Sequence, residues 1–432
     1  SAAGKPIQNL AASWTEQPGF PLIKVKTQCV NGQQIVKLEQ ARFLIGESDS
    51  TSLRWSVPIG IVRVGEPDKI KQILLDKLSS KIEFSRCDEP IKGNARDIGF
   101  FRVSYEPALF SKLKRSVLQL PESDRVNLVT DTWATVESGD SPASMFFELL
   151  EGLGQDDSYA VWQSVIGFER TIGPLKLVNR LEQDQHGHAK YENYVRTLLG
   201  QKLAELTWDE KVGEPIEKRL LRPLLIETLG IFGDRTVIEE ASRRFASFRE
   251  NPASLNPNLR PAVIRIVGRY SSPTDYDVLL RLAEESPTSE ERRMYLRALS
   301  AVLDPELAQR SAEFFTSKHV APGDGGRALE EEAWEHPDIV WTQATTHLKQ
   351  MQQRFGFFRW NHLLPSLAAA SIDTERADEL VRFAKQNLPA QGQREADNAA
   401  NLIRFRADLK KRELPKIDQW IATKFAQVSA HD

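Results

Sequence analysis

The sequence is poor in cysteine: Cys29 and Cys87 are the two copies among 432 residues. Two cysteines exclude a framework of several disulfide bonds and a zinc site built from cysteines. One bridge between them remains open, but the sequence alone favours two buried thiols. The chain also lacks any Asn-x-Ser/Thr acceptor, so glycosylation gives no information about its compartment.

A charge of one sign and a long hydrophobic run are both missing. The chain has 57 basic and 60 acidic side chains, for a formal net charge of -3. This balance argues against a dedicated nucleic-acid-binding protein. The longest stretch without charged side chains, residues 360–372, is too short and too polar to span a bilayer. The sequence does not show the basic start followed by an apolar run that is typical of a signal peptide.

An initiator is missing as well. The chain begins Ser1-Ala2-Ala3-Gly4, and its first methionine is Met145. We therefore expect the sequence to be an excised piece or a processed product of a longer protein. With 41% hydrophobic and 27% charged residues, the composition is that of a globular protein of roughly two to three domains.

The first hundred residues alternate with a period of two. Apolar and polar side chains alternate over residues 22–30, and Asn31-Gly32 then gives a strong hairpin signal. A second clean alternation covers residues 53–61, and residues 82–84 and 98–105 supply further short strands. Several short strands separated by turns predict a small antiparallel β-sandwich.

From about residue 106 the apolar period changes to 3.6. Val126, Val129 and Trp133 share one helix face, and Thr288 with Glu291 forms a capping box at a later helix start. The pattern predicts roughly fourteen helices of about 10 to 20 residues joined by short loops. Consecutive short amphipathic helices are typical of a HEAT- or armadillo-like superhelix. We therefore predict an α+β multidomain protein, a β-sandwich followed by a large all-α superhelix.

Catalytic signatures are missing too. The chain contains no G-x-x-x-x-G-K-[ST] phosphate loop, no G-x-S-x-G elbow and no H-E-x-x-H zinc motif. His186 and His188 lie in a polar stretch that favours a solvated loop over a metal site. His336 and His347 would share a helix face, but His336 precedes Pro337 and no carboxylate completes a zinc triad. We predict no catalytic, cofactor-binding or metal-binding residue in this chain.

Three further features allow a binding role. Residues 323–326 read Gly-Asp-Gly-Gly; a phosphate-binding nest is conceivable, and a flexible loop is favoured. An arginine-rich C-terminal part could hold a peptide carboxylate, although interleaved acidic residues favour solvated helix faces of mixed charge. An aromatic cluster favours core packing over the lining of a peptide groove. The arginines are Arg354, Arg359, Arg382, Arg394, Arg404 and Arg406, and the aromatic residues are Phe355, Phe357, Phe358 and Trp360.

Several segments match the motifs of one family in order. Residues 14–21 read W-T-E-Q-P-G-F-P, residues 40–43 read Q-A-R-F and residues 55–59 read W-S-V-P-I. Asn94 precedes G-F-F-R-V-S-Y at residues 99–105. Asp124-Arg125 with Asp131, Val340-Trp341 and residues 419–421 follow. Together these resemble the C-terminal half of the gluzincin zinc aminopeptidases, the family of the membrane alanyl, puromycin-sensitive and endoplasmic-reticulum aminopeptidases.

The sequence departs from the family pattern at a few positions. The usual tryptophan has no counterpart near Phe84, the helix at Asp131 lacks a second acidic residue, and Val340 replaces an alanine. Residues 335–337 stand where some relatives carry a basic residue that is proposed to hold the peptide C-terminus, so that role is not transferred. These departures leave substrate preference open.

The resemblance implies that catalysis and enclosure of the substrate belong to different domains. The zinc ligands, the general base and the glutamate that grips the substrate amine would lie upstream, in a catalytic domain outside this chain. Residues 1–20 would end that domain, residues 21–105 would form the sandwich as a spacer, and residues 106–432 would form the helical domain. This domain would enclose the active-site cavity and help admit and orient peptides, and its motion would resemble that of a lid. The chain alone would contain no zinc and would be inactive.

The expected partners are therefore the peptide substrate and the upstream catalytic domain, with no nucleic acid and no membrane segment in this chain. The alternative is a free-standing helical-repeat scaffold for protein–protein interaction, and a third reading is a degenerate relative without zinc ligands. The preferred N-terminal residue, the oligomeric state and the compartment stay open. Sparse cysteine favours a soluble bacterial protein, cytoplasmic or periplasmic.

Overall fold

The structure is a computed structural model that describes residues 7–46, 51–87, 89–168, 171–183 and 185–429. The strands are β1 Pro21–Val30, β2 Gln33–Arg42, β3 Val57–Arg63, β4 Lys71–Leu75, β5 Ser79–Phe84, β6 Ile91–Gly93, β7 Arg102–Tyr105, β8 Gly167–Phe168 and β9 Thr171–Ile172. The helices are α1 Ile7–Thr15, α2 Pro107–Arg115, α3 Glu122–Ser138, α4 Ala143–Gly152, α5 Tyr159–Ile166, α6 Pro174–Glu182, α7 His188–Leu206, α8 Ile216–Ile231, α9 Arg235–Glu250, α10 Arg260–Arg269, α11 Pro273–Glu285, α12 Ser289–Leu299, α13 Pro305–Thr316, α14 Pro322–Glu332, α15 Pro337–Thr346, α16 Leu348–Phe355, α17 Phe357–Ala368, α18 Thr374–Asn387 and α19 Ala390–Ser429. Strands followed by helices confirm the predicted fold class.

Two small sheets form the first part of the chain. One has the strand order β5-β2-β1-β7, and the other has the order β4-β3-β6. The predicted hairpin at Asn31-Gly32 is confirmed, because β1 and β2 pair antiparallel from Pro21↔Arg42 to Val30↔Gln33. The prediction of a wholly antiparallel sandwich is wrong in one pair, since β7 runs parallel to β1. The reason is that the chain reaches β7 from β6, a strand of the other sheet.

The two sheets bury facing apolar side chains. Val25 and Leu38 of the first sheet, and Val57 and Ile59 of the second, are each at most 1% exposed. Contact between the sheets is closest at Gly93 of β6, where an added Cβ would lie 3.3 Å from a Val103 methyl and 3.6 Å from a Val25 methyl. The alternating pattern of the sequence therefore marks the inner faces of this sandwich.

Several motif residues hold the segments that border the sandwich. The side-chain amide of Gln40 donates to the carbonyl oxygens of Trp55 (3.0 Å) and Lys77 (2.8 Å), and its oxygen accepts from the Trp55 amide at 2.8 Å. The indole of Trp14 on α1 donates to the Ser56 carbonyl at 3.1 Å. These contacts give the Q-x-R-F and W-x-[IV]-P-[IL] motifs a structural role: they fix the backbone where α1 and β3 meet.

The two cysteines are paired. Cys29 at the end of β1 forms a disulfide with Cys87, and their Cα atoms are 5.4 Å apart. The expectation of two buried thiols is therefore wrong. The pairing of β2 with both β1 and β5 brings the two residues together, and this tertiary relationship cannot be read from 58 residues of intervening sequence.

A polar cluster, the junction cluster, joins the strands to the first long helix. Its buried members are Lys92, Asn94, Asp124, Asn127 and Asp131, and it also includes the half-buried Arg102 and the exposed Asp97. Asp131 of α3 accepts hydrogen bonds from the Val103 amide at 3.0 Å and from Arg102 Nη1 at 3.1 Å. Asp124, about two helical turns earlier on α3, accepts a hydrogen bond from the backbone amide of Arg96 at 2.6 Å. Burial raises the pKa of Asp131 to about 6, against the opposing charges of Lys92 and Arg102.

The left-handed turn before β7 depends on Asn94. Its side-chain oxygen accepts from the Gly99 amide at 2.8 Å, and its amide nitrogen donates to the Gly99 carbonyl at 3.0 Å. Asn94 itself adopts a φ of 51°. Asparagine tolerates this conformation and closes the turn with its own side chain. The N…G-[YF]-[YF]-R-V-x-Y and D-R…D motifs therefore describe one packed junction.

The chain divides into two compact units, Ser1–Pro174 with Ala422–Asp432, and Leu175–Ile421. Within the second unit, α10 contacts α8, α9, α11 and α12, and α12 contacts α10, α11, α13 and α14. These helices thus meet their near neighbours in sequence, as in a repeat protein, whereas α19 also contacts α7 through Trp420 and Tyr194, with ring centroids 5.4 Å apart. We call the helices of this unit the helical array.

The described chain contains eighteen α-helices after residue 106, more than the roughly fourteen predicted. Short helices such as α16, with 8 residues, account for much of the difference. The predicted upper length is also exceeded, because α19 runs for 40 residues and includes Pro415. A proline inside an amphipathic stretch predicts a break, but neighbouring contacts can carry a helix through it.

Candidate functional site

The histidines that were considered as metal ligands from the sequence do not lie together in the fold. His188 is the first residue of α7, with Nε2 3.6 Å from a Glu192 carboxylate oxygen. His336 Nε2 lies 2.8 Å from the Val302 carbonyl oxygen, and His347 separates α15 from α16. Across the described ranges, no group of three or more His, Cys, Asp or Glu side chains could hold a metal ion. These residues therefore do not fit a zinc ion.

The glycine-rich segment is helical, so the prediction of a flexible loop is wrong. Gly323, Gly325 and Gly326 all lie in α14, which begins with Pro322. A Cβ at Gly325 would overlap the carbonyl oxygen of Phe315 on α13. The absence of a side chain therefore serves the close packing of two helices and not a turn.

Two of the C-terminal arginines make contacts within the fold. Arg354 donates to the carbonyl oxygens of Thr316 at 3.2 Å and Ser317 at 2.7 Å, at the C-terminal end of α13. Arg404 forms an ion pair with Asp378 at 2.7 Å, and both side chains are largely exposed. The second contact fits the expected solvated helix faces of mixed charge.

The aromatic cluster is divided between core and surface. Phe355 and Trp360 stack with their ring centroids 6.0 Å apart, and they are 5% and 0% exposed. Phe357 and Phe358, in contrast, are 51% and 80% exposed. The prediction of core packing applies to the first two residues and is wrong for the last two, because α17 begins at Phe357 and its first turn faces outward.

A different constellation runs across the helical array. Glu227 of α8, Arg265 of α10, Arg297 of α12 and Glu331 of α14 come from successive helices of one layer. We call these four side chains the charged row. Their exposed fractions lie between 13% and 29%, so they are half-buried but accessible.

Each arginine of the charged row meets both glutamates. Arg265 lies 2.6 Å from Glu331 and 3.5 Å from Glu227, and Arg297 lies 3.5 Å and 3.9 Å from the same two carboxylates. One turn along, Arg269 pairs with Glu335 at 2.6 Å. The result is a network of charges on one helix layer, in which two arginines lie between two glutamates.

The charges of this network keep Glu227 ionised. Burial alone would raise the pKa of Glu227, but Arg265, Lys176 and Arg297 outweigh it and lower that pKa. Burial also lowers the pKa of Lys176, which lies on α6 and is influenced by Glu227 and Arg265. Glu227 therefore remains a carboxylate near neutral pH.

Cations exceed carboxylates in this network. Lys176, Arg265, Arg269 and Arg297 stand against Glu227, Glu331 and Glu335. The Nε atoms of Arg265 and Arg297 are buried and lie 3.5 Å from Glu227 and Glu331, respectively. A network with one positive charge in excess, in which Arg297 is 29% exposed, suits a carboxylate or another oxyanion.

The sequence analysis missed the charged row. Its members lie far apart in the chain: 32 residues separate Arg265 from Arg297, and 66 separate Arg265 from Glu331. The first interval matches the length of two helices with their loops, which is the repeat of the array, and the second is about twice that length. A search for charged residues at this period could have found the row, but a search for compact motifs could not.

Comparison with known proteins identifies the family of the chain. A model of the ERAP1-like C-terminal domain matches residues 90–404. The puromycin-sensitive aminopeptidase of Caenorhabditis elegans is 26% identical over 82% of this chain and 38% of its own length. Aminopeptidase M1-A of Oryza sativa subsp. japonica is 26% identical over 94% of this chain and 47% of its own length.

Aminopeptidase 2 of Candida albicans is likewise 26% identical, over 72% of this chain and 33% of its own length. The chain thus spans less than half the length of these relatives. In the helices that the structure describes, none is both long and apolar enough to cross a bilayer. The family match covers most of the chain and includes the junction cluster and the charged row, so the chain belongs to the ERAP1-like C-terminal domain family and is a C-terminal part of an M1 aminopeptidase.

Proposed function

We propose that this chain is the non-catalytic part of a zinc aminopeptidase. In this proposal an upstream domain holds the zinc ion and removes N-terminal residues. Residues 21–105 are the spacer domain, and residues 106–432 enclose the active-site cavity and help admit and orient peptides. The names of the relatives support the activity, since each is called an aminopeptidase. No observation favours the alternative of a free-standing scaffold.

The charged row is the observation that carries the peptide-orienting part of the proposal. A peptide whose amino end reaches a catalytic centre presents a carboxylate at its other end. The side chains of the row are 13% to 29% exposed, and its network has one cation in excess, so Arg297, the most exposed member, can form a charge-assisted hydrogen bond with that carboxylate. Because the row extends over α8, α10, α12 and α14, peptides of different length can meet it at different points.

The first test is the coding sequence ahead of Ser1. We expect an H-E-x-x-H motif with a downstream glutamate, and chelator-sensitive hydrolysis of an aminoacyl-anilide by the encoded protein. An upstream region without such a motif, or an encoded protein without activity, would refute the proposal.

The second test separates peptide orientation from catalysis in that protein. Arg297→Gln should raise KM roughly three- to tenfold for a nonapeptide with a free carboxylate, because one charged donor is lost. The same peptide as its C-terminal amide, and the aminoacyl-anilide, should be unaffected. The control is Arg310→Gln, which removes the ion pair with Asp277 (2.7 Å) outside the charged row. Equal changes in KM for all three substrates, or no change in KM for any of them, would exclude the row as a carboxylate site.

A further inference from the structure

A cavity of about 320 Å³ lies within the helical array, away from the charged row. Gln185, in the turn between α6 and α7, forms one wall. One face of α19 forms the rest. The residues of that face are Ala407, Lys410, Lys411, Leu414, Pro415 and Asp418. A volume near 300 Å³ is at the lower end of the range for small-molecule sites.

The α19 wall has a polarity along the helix. Lys410 and Lys411 lie at one end, Leu414 and Pro415 in the middle, and Asp418 at the other end. Residues seven apart lie on one helix face, and each residue rises 1.5 Å. The Cα atoms of Lys411 and Asp418 are therefore roughly 10 Å apart along the helix axis. The wall therefore offers a cationic end, an apolar centre and an anionic end.

A second carboxyl group lies beside the acidic end. A Cβ at Gly187 would overlap Asp418 Oδ1 and come within 2.8 Å of Glu182 Oε2, so the two carboxyl groups are close neighbours. Glu182 is 0% exposed, and neither of its carboxyl oxygens has a hydrogen-bond donor in the part of the chain described. A buried carboxyl group that accepts no hydrogen bond is costly, and the charge of Lys410 offsets only part of that cost, so a further cationic donor beside Asp418 would be favourable.

The groups around Glu182 define its protonation. Burial, with the charge of Asp418, raises the pKa of Glu182 to about 7, against the opposing charge of Lys410. Tyr191 of α7 faces the same carboxyl group, and burial raises its own pKa well above the usual value. Glu182 is therefore mostly protonated below neutral pH and mostly ionised above it.

Pro415 adds another acceptor to the cavity wall. Proline has no amide hydrogen, so the carbonyl oxygen of Lys411, four residues earlier, lacks its usual helical partner. Asp418 and Lys411, whose backbone carbonyl is freed, thus both line the cavity, and the buried Glu182 lies directly behind Asp418. Such acceptors suit an ammonium group, which has three hydrogen-bond donors.

We propose that this cavity binds a small zwitterion, either a free α-amino acid or a dipeptide. Its ammonium group takes the place beside Asp418 and Glu182, and its carboxylate faces the lysine end of α19. A simple cation would meet the charges of two lysines, and a simple anion would meet two carboxyl groups, so neither matches both ends. The proposal concerns this chain alone and does not depend on the role proposed for the charged row.

Isothermal titration calorimetry of the purified chain tests the proposal with four ligands at pH 8. At this pH L-leucine carries both charges and about half of the Leu-Gly molecules do, because a peptide α-amino group has a pKa near 8, so the Leu-Gly affinity is corrected for that fraction. N-acetyl-Leu-Gly lacks the ammonium group, and Leu-Gly amide lacks the carboxylate. We expect one site for L-leucine or Leu-Gly, and at least roughly tenfold weaker binding of the acetylated ligand. The zwitterion that binds more tightly shows whether the site takes a free amino acid or a dipeptide. Absence of binding by both zwitterions, or equal binding of the acetylated dipeptide, would refute the site.

Variants localise the binding. Asp418→Asn should weaken the zwitterion at least roughly tenfold, whereas Asp408→Asn, at an exposed position of the same helix outside the cavity, should leave binding unchanged. Binding by the unmodified chain should be about tenfold weaker at pH 6 than at pH 8, because the ammonium group competes with the proton on the carboxyl pair. Glu182→Gln should remove most of this pH dependence. Unaltered binding by Asp418→Asn, or a pH dependence that survives Glu182→Gln, would place the ligand elsewhere.

Discussion

Lys92 Nζ lies 3.7 Å from Asp124 Oδ1, and the two side chains are 0% and 1% exposed. The ammonium group also donates to Asn127 Oδ1 at 2.6 Å. Burial lowers the pKa of Lys92, and the charges of Asp124, Asp131 and Asp97 oppose that change. This ion pair joins β6 to α3, so the junction between the sandwich and the first long helix depends on charges that water does not reach.

Loss of one partner of this pair should be costly. Lys92→Met should lower the free energy of unfolding by about 3–5 kcal/mol, because it leaves Asp124 buried without its cation. Urea denaturation followed by circular dichroism measures the change. The double variant Lys92→Met with Asp124→Asn should recover part of the loss, since no unpaired charge then remains.

An exposed ion pair of the same unit provides the control. Lys24 and Asp140 lie 2.8 Å apart, with side chains 38% and 27% exposed. Lys24→Met should therefore cost less than about 1 kcal/mol. Similar losses for Lys92→Met and Lys24→Met would contradict a stabilising role for the buried pair.

The local features of the fold could be predicted from the sequence, and the reason is physical. The Asn31-Gly32 hairpin depends on the backbone conformation of two residues, which have φ angles of 49° and 78°. The capping box at the start of α12 likewise joins near neighbours, with Thr288 Oγ1 accepting from the Glu291 amide at 3.2 Å. Such signals involve few residues and are not overridden by distant contacts.

The features that the sequence did not predict are set by tertiary packing. The glycines of α14 resemble a loop in sequence, but Gly325 lies against the backbone of α13. The Cys29–Cys87 pair requires the strand order β5-β2-β1, and the charged row requires the helix layer to be in place. The cavity beside Asp418 likewise joins residues of α19 to a turn more than 200 positions earlier. Sequence spacing contains none of these distances.

Glu332 of α14 should make the stability of the chain depend on pH. It is 0% exposed, and neither carboxyl oxygen has a hydrogen-bond partner in the described ranges. Burial raises the pKa of Glu332 well above its ordinary value of 4.5. Above pH 4.5 the unfolded chain ionises this group while the folded chain keeps it neutral, so stability falls as the pH rises toward the folded pKa.

Glu332→Gln tests this dependence, because the amide resembles the neutral acid. The variant should match the unmodified chain at pH 4.5 and exceed its free energy of unfolding by roughly 1–3 kcal/mol at pH 8. Chemical denaturation at both values gives the difference. Glu290→Gln, at an exposed position of α12, is the control and should not change the pH dependence. A Glu332→Gln variant that is no more stable at pH 8 would show that this carboxyl group finds a partner or water.

The disulfide should stabilise the first unit. Cys29 and Cys87 are 58 residues apart in sequence, so the bond closes a long loop in the unfolded chain. Cys87→Ser should lower the free energy of unfolding by about 2–4 kcal/mol, mainly because the unfolded chain gains freedom. Thiol titration of the denatured, unreduced chain should find no free thiol. Two reactive thiols under those conditions would contradict the pairing.

Two helix glycines differ in the space beside them and should respond oppositely to alanine. A Cβ at Gly268 of α10 would lie 2.6 Å from the carbonyl carbon and 2.8 Å from the Cα of Ala298, so the backbone of α12 would have to move. Gly268→Ala should therefore cost about 1–3 kcal/mol. Gly200 of α7 has nothing within 4 Å of such a Cβ, and Gly200→Ala should stabilise the chain by about 0.5–1 kcal/mol, because alanine favours the helix. Urea denaturation of both variants measures the difference, and changes of the same sign would contradict the close approach of α10 to α12.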